Sequence, residues 1–423
     1  MQNIVDFLQK RGFVDAISSE ELKKIVEKTI KAYLGFDPTA DSLHIGHLVG
    51  IMALAWFQRF GHTPVVLLGG ATAKIGDPSG RSSERPLLDS STLNCNVESI
   101  RKQFENFLDF SESQGSALLL NNDTWLREYP LIAFLRDIGK HFRLGPMLSK
   151  DSVKTRLNSD EGISFTEFTY QVLQGYDFYY LFKEYDVCLE MGGSDQWGNI
   201  TAGIELTRKL IGKQVFGLTY PLLTKSDGTK FGKSVGGAIW LSPQKTSPYQ
   251  FYQYLVRVPD ADVIQMMRML TFIDTDEIQE YEKKLLSGDF VPNVLQKKLA
   301  EEVTRFVHGE EGLQKAIRVT ECAAPGSTAT LDPDVLEEIA LDMPNINLPI
   351  EEVLGQKYVD IAAKIGLCSS KGEATRLIKS GGASLNNEKV VNEALKVQLE
   401  YIIAGKYLLF GSGKRTKILV KVE

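Results

Sequence analysis

One stretch constrains this chain more than any other: Lys31-Ala-Tyr-Leu-Gly-Phe36 stops at Asp37-Pro-Thr39, His44-Ile-Gly-His47 opens an apolar run through Trp56 and Phe57, and Val65-Val-Leu-Leu68 closes on Gly69-Gly70. A strand, a loop, a long apolar helix and a buried strand in that order make a crossover unit, and crossover units make parallel sheets. The alternation returns with a helix over residues 165–184, an apolar strand at Val187-Cys-Leu-Glu-Met191, the loop Gly192-Gly-Ser-Asp-Gln-Trp-Gly-Asn199 and a helix to about residue 211. The expected fold class is α/β, with a parallel-sheet domain over residues 1–223 that carries an inserted helical segment at about 115–160.

Residues 224–245 read as a lysine-bearing loop and connector, and 246–323 as a helical domain. Residues 324–350 hold Pro, Gly, Ser and Thr with weak periodicity and read as a linker. The tail, 351–423, holds twelve Lys and Arg against eight Asp and Glu, whereas the whole chain sums to -6. A uniformly basic DNA coat is therefore excluded, and the tail suggests a local polyanion contact beside the alternative of ordinary surface variation. No apolar run reaches spanning length, and hydrophobic residues at 43% match ordinary globular usage. Four dispersed cysteines and an amino terminus that mixes acid and base without an apolar core point to a reducing, cytoplasmic compartment.

His44 and His47, three apart at a helix start, suit phosphate chemistry, because helix amino termini offer unpaired N–H groups and the positive end of the dipole. A metal pair and a simple helix cap are the competing readings, and no third ligand at a suggestive spacing supports the metal. Thr224-Lys-Ser-Asp-Gly-Thr-Lys-Phe-Gly-Lys-Ser234 spaces three lysines among turn-forming residues, which suits either phosphate contact or a solvated turn. Within Tyr170-Gln-Val-Leu-Gln-Gly-Tyr-Asp177, positions 170, 174 and 177 share one helical face that presents a phenol, an amide and a carboxylate.

Together these motifs resemble a known family. His44 to His47 looks like the HIGH signature, and Lys230-Phe-Gly-Lys-Ser234 like the KMSKS signature, of class I aminoacyl-tRNA synthetases, with Phe231 and Gly232 standing for the consensus Met and Ser. The segments around Tyr33, Tyr170 and Gly192 resemble the bacterial tyrosyl-tRNA synthetases over nearly the whole chain. The resemblance implies a Rossmann-like catalytic domain, a helical anticodon-side domain and, at Ser370-Lys-Gly-Glu-Ala-Thr-Arg-Leu-Ile-Lys379, a small α+β RNA-binding domain like one found in a ribosomal protein. It implies that Tyr33 and Asp177 hold the phenolic hydroxyl of L-tyrosine, while Tyr170, Gln174 and Asp77, with Gln196, hold its ammonium or carboxylate. Gly35, Asp37, Thr39, His44, Gly46, His47, Gly193 and Asp195 would meet ATP. Lys230, Lys233 and Ser234, with Arg81 and Arg85, would grip the leaving pyrophosphate, and Lys371, Arg376 and Lys379 would touch tRNA.

The activity so implied is ATP-dependent formation of tyrosyl-adenylate followed by transfer to tRNA(Tyr), with Mg²⁺ carried by ATP, no protein metal site, and no DNA or membrane partner. A homodimer through residues 120–165 is also implied. The rivals are a tryptophan-specific relative, a small nucleotidyltransferase without tRNA, and an RNA-binding scaffold that has lost catalysis.

Overall fold

The computed structural model describes residues 3–81, 83–84, 88–111, 115–159, 162–224, 226, 231–234, 237–287, 291–324, 327, 331–413 and 416–423. The chain forms two compact units, one of Met1–Lys245 with Val258–Val307 and one of Thr246–Arg257 with His308–Glu423.

The first unit is built on a six-stranded sheet of β1 (Ala16–Ile17), β2 (Lys31–Phe36), β3 (Thr63–Leu68), β4 (Leu118–Asn121), β5 (Val187–Gly193) and β6 (Phe216–Tyr220), in the order β1-β6-β5-β2-β3-β4. All neighbours are parallel except β1, which runs antiparallel on β6. The strand order reverses between β2 and β5. Connections from β2 run outward to β3 and β4, those from β5 run the other way to β6, and a crevice opens at the carboxyl ends of β2 and β5. Alternation of side chains across the sheet builds both faces. Tyr33, Val65 and Leu67 join Phe178, Leu181 and Leu206 from the helices Phe165–Tyr185 and Trp197–Ile211 in one core, while Leu34 points the other way to Gly50 of the helix Leu48–Arg59.

Two expectations need revision within the middle and helical regions. The inserted segment at 115–160 is not wholly helical, because Leu118–Asn121 pairs with β3 as the sheet's edge strand before the helices begin at Asp123. Nor do residues 246–323 form a unit of their own: the helix Val294–Ala323 breaks at Gly309, and the chain on either side belongs to different units. In the first unit, buried Arg11 donates to the main-chain oxygens of Met267, Arg268, Thr271 and Ile273, satisfying carbonyls at the end of the helix Asp260–Leu270.

In the second unit, the stretch expected as a linker carries structure. Asp332 accepts from Val335 N at 2.9 Å and caps the helix Pro333–Asp342, and Asn345–Leu348 forms a strand. Pro333 is the first helical residue, where its missing N–H costs nothing, so a residue that reads as a breaker is a helix start. The strand Asn345–Leu348 lies parallel to Thr416–Val422 at one edge of a second sheet, which also holds Ala383–Leu385, Glu388–Lys389 and Tyr407–Ser412. One face of that sheet, with Leu408, Phe410 and Val420, packs on Tyr358, Ile361, Ala374 and Ile378; the other, with Tyr407, Leu409 and Leu419, packs on Val319, Leu336 and Ile339.

Candidate active site

The crevice between β2 and β5 deepens into a cavity of about 260 Å³. Its lining includes Tyr33, Gly35, Asp37, Thr39, Gly46, His47, Asp77, Tyr170, Gln174, Asp177, Gly193, Asp195 and Gln196, so residues spread over more than 160 positions of sequence meet at one point. Five carboxyl groups, those of Asp37, Asp77, Asp177, Glu190 and Asp195, face it.

The deepest wall is polar and almost sealed from solvent. Asp177 is 2% exposed, and its oxygens accept from Asn122 Nδ2 at 2.9 Å and Trp125 Nε1 at 2.7 Å. Burial pushes this carboxyl up to about 7 against the pull of the two donors. Tyr33 is 1% exposed, and its hydroxyl has no hydrogen-bond partner of good geometry. A phenol and a carboxylate at the bottom of a pocket offer one donor and one acceptor to the same incoming group.

Along the sides, Asp37 accepts from Thr72 Oγ1 at 2.8 Å and from Tyr170 Oη at 2.9 Å. Asp77 accepts from Ser79 N at 3.0 Å and from Gln196 Nε2 at 2.8 Å. Asn199 ties this side together, donating to Gln174 at 2.9 Å and to Gln196 at 3.3 Å, while Gln174 Nε2 donates to Glu190 Oε1 at 2.9 Å. Each amide is thereby held in one orientation.

At the mouth, the His44 and His47 rings stack with centroids 3.8 Å apart. His44 Nδ1 accepts from Gly46 N and His47 Nδ1 accepts from His44 N, both at 3.1 Å. With each Nδ1 occupied as an acceptor, the proton of the neutral imidazole sits on Nε2, which makes that nitrogen a donor. The segment that carries them is stitched to the later loop: Ile45 N donates to Ile239 O, Leu241 N to Leu43 O and Ile239 N to Gly232 O.

Arg81 is exposed on the loop after Gly80. Lys230 and Arg85 lie outside the described residues, and of Lys233 and Ser234 only the backbone is described, in a two-stranded hairpin with Gly237–Ala238. Lys371, Arg376 and Lys379 share the helix Lys371–Lys379 of the second unit, where Lys371 pairs with Asp360 at 2.8 Å and Lys379 with Glu393 at 3.4 Å. Sequence reasoning missed Thr72, Asn122, Trp125, Asn199 and Glu190. The apolar strand ending in Asn121-Asn122 was the available signal for the second of these, since ligand sites gather at the carboxyl ends of parallel strands. Among the described residues there is no cluster of three or more His, Cys, Asp or Glu fit to hold a metal, and no helix long and apolar enough to cross a membrane.

A parallel sheet reversed at β2/β5, a histidine pair at the first crossover helix and a lysine loop hydrogen-bonded to it define a class I aminoacyl-tRNA synthetase. Residues 24–323 match the model of the class I tRNA synthetases for tryptophan and tyrosine, and residues 335–420 that of the tyrosine-tRNA ligase C-terminal domain. The chain is 55% identical to the tyrosine-tRNA ligase of Protochlamydia amoebophila over 100% of its own length and 99% of that protein's. It is 49% identical to the chloroplastic/mitochondrial tyrosine-tRNA ligase of Arabidopsis thaliana, over 100% of this chain and 84% of the relative. Among solved structures, a C-terminally truncated mitochondrial tyrosyl-tRNA synthetase of Coccidioides posadasii superimposes with a TM-score of 0.65 at 36% identity, covering 75% of this chain and 91% of that one. The chain belongs to the tyrosine-tRNA ligases, which sets the tryptophan-specific alternative aside.

Proposed function

We propose that the β2/β5 cavity binds L-tyrosine with its hydroxyl between Tyr33 and Asp177, and that ATP lies across the mouth. The observation that carries this reading is the sealed Tyr33 and Asp177 wall, where a phenol would meet both groups and a phenyl ring would leave the Tyr33 hydroxyl without its partner. Enzymes of this class are the standard example of such discrimination, which reaches several orders of magnitude. The substrate ammonium meets Tyr170, Gln174 and Asp77, held by the amide network through Asn199 and Gln196. Asp37, already bonded to Tyr170, borders this ammonium position and, with Gly35, Thr39, Gly193 and Asp195, the nucleotide.

In the first step a substrate carboxylate oxygen attacks the α-phosphorus, the bond to the β-phosphate oxygen breaks, and pyrophosphate leaves. The Nε2–H groups of His44 and His47 point donors at charge that develops on the phosphates, with Gly46 between them. Lys230, Lys233, Ser234, Arg81 and Arg85 complete the grip on pyrophosphate. Mg²⁺ carried in on the nucleotide would screen the phosphate charge beside these residues. In the second step a terminal ribose hydroxyl of tRNA(Tyr) attacks the acyl carbon and AMP leaves. Both steps need positioning and charge stabilisation rather than a protein nucleophile.

Lys371, Arg376 and Lys379 give the tail domain its contact with tRNA phosphates; the ion pairs of Lys371 and Lys379 are solvent-exposed on the lysine side, weak, and exchange readily for a phosphate. A second copy of the chain covers Leu131, Ile132, Leu144 and Phe165, which are 69%, 76%, 65% and 76% exposed. A cytoplasmic location accords with this reading. Exchange of labelled pyrophosphate into ATP, run with tyrosine, phenylalanine and tryptophan, tests the core of it. Exchange with tyrosine alone, lost in His44→Ala, is expected; equal exchange with phenylalanine or tryptophan would overturn the assignment of the Tyr33 and Asp177 wall.

A further inference from the structure

Glu190 stands on β5 as the register partner of Tyr33 on β2, so the two side chains rise from adjacent positions of the sheet into the floor of the cavity. A glutamate is an unusual residue for such a place. It is 2% exposed, and one oxygen accepts from Gln174 Nε2 at 2.9 Å. The other, Oε2, has no hydrogen-bond partner of good geometry, and the same holds for the hydroxyl of Tyr33 beside it. Two buried polar atoms without partners, one from each of two paired strands, are complementary if one of them carries an extra proton.

We propose that Glu190 is a specificity-determining positioning residue for tyrosine: its carboxyl donates from Oε2–H to Tyr33 Oη, which turns the Tyr33 proton toward the hydroxyl of the bound substrate. The substrate hydroxyl then accepts from Tyr33 and donates to Asp177, so Glu190, Tyr33 and the substrate each donate once along one direction and Asp177 accepts at its end. An ionised Glu190 reverses the row. It would take the Tyr33 proton for itself, leave Tyr33 with only an acceptor to offer, and remove the donor that the substrate hydroxyl needs.

Two carboxyls in one dry pocket cannot both ionise at little cost, and their partners decide which keeps the proton. Asp177 accepts from Asn122 and Trp125, donors with no other place in the row, whereas Glu190 accepts from Gln174 and otherwise faces only the Tyr33 hydroxyl, whose proton the substrate needs. Burial first, then the charge of Asp177, pushes Glu190 up to about 8. The titratable groups that act on Glu190 are Tyr33 from β2 and Asp177 from the helix Phe165–Tyr185, and neither is a cation.

This inference rests on tyrosine binding at the β2/β5 cavity, and its test separates the two. Tyrosine-dependent pyrophosphate exchange is measured for wild type, Glu190→Gln and Glu190→Ala between pH 6.5 and 8.5, reading KM for tyrosine and kcat separately. In wild type KM for tyrosine is expected to rise several-fold toward the alkaline end. Glu190→Gln, whose amide donates to Tyr33 at every pH and still accepts from Gln174, is expected to keep the low KM across the range. Glu190→Ala, with Tyr33 unoriented, is expected to show KM raised about tenfold at all pH values with kcat little changed, and a smaller preference for tyrosine over phenylalanine. Identical pH profiles of KM for wild type and Glu190→Gln would overturn the proposal, as would a Glu190→Gln defect as large as that of Glu190→Ala. Since Glu190→Gln keeps both volume and hydrogen-bonding capacity, its profile decides the matter even if the alanine variant does not fold. Absence of tyrosine-dependent exchange in wild type would instead overturn the reading of the cavity itself.

Discussion

A Cβ on Gly232 would stand 2.9 Å from Cγ2 of Ile45, so the lysine loop touches the histidine segment through a residue with no side chain. Gly232 also holds φ at +92°, a region that L side chains rarely adopt. Gly232→Ala is therefore expected to push the loop off the mouth of the cavity, costing about 1 to 2 kcal/mol locally and lowering kcat in pyrophosphate exchange by about tenfold or more. KM for tyrosine should stay near wild type, because the contact lies away from the amino-acid pocket. Steady-state exchange kinetics check this.

Gly69, at the end of β3, makes a still closer approach. A Cβ there would fall 1.9 Å from Asp37 Oδ1 and 2.5 Å from Thr72 Oγ1. Gly69→Ala must displace Asp37, and with it the Tyr170 hydroxyl that donates to the same carboxylate. A higher KM for tyrosine together with a loss of about 1 to 3 kcal/mol in unfolding free energy is expected, read by exchange kinetics and chemical denaturation.

Asp177→Asn keeps the size of the buried carboxylate but not its charge or its capacity to accept from Asn122, Trp125 and the substrate together. Tyrosine-dependent kcat/KM is expected to fall by roughly 10² or more, while any residual phenylalanine activity changes little. The ratio of the two, measured by exchange, distinguishes a lost substrate contact from a general packing defect.

Stability should also depend on pH through Glu190. Its folded-state value, about 8, is raised above the ordinary carboxyl value near 4.5. A raised group binds its proton more tightly when folded, so its contribution is full below the unfolded value and is lost as pH climbs to the folded one. Wild type should thus lose Tm relative to Glu190→Gln steadily between about pH 4.5 and pH 8. Calorimetry of both proteins across that range checks the sign; a constant difference in Tm would contradict it.

The exposed apolar residues of the middle region predict self-association. Sedimentation of the intact chain is expected to give twice its 47.2 kDa mass, and Ile132→Glu with Phe165→Glu is expected to give the single-chain mass.

Periodicity and turn chemistry by themselves determined the crossover unit of β2 and β3 and the strand β5 between its two helices, because a buried parallel strand is mostly apolar and its connection must be helical. Local spacing also placed the histidines at a helix start and Tyr170, Gln174 and Asp177 on one face, since helical geometry is a property of neighbours in sequence. Where local signals mislead, a single residue explains it: Pro333 reads as a break but begins a helix, and Leu118–Asn121 is too short to stand out from the helices that follow. The pocket itself was decided only by tertiary structure. Asn122, Trp125 and Glu190 carry no motif, and they matter because the sheet order sets β5 beside β2, placing Glu190 level with Tyr33. The protonation of a carboxyl depends on the water removed from it and on the donors brought to it, and both come from parts of the chain far away in sequence.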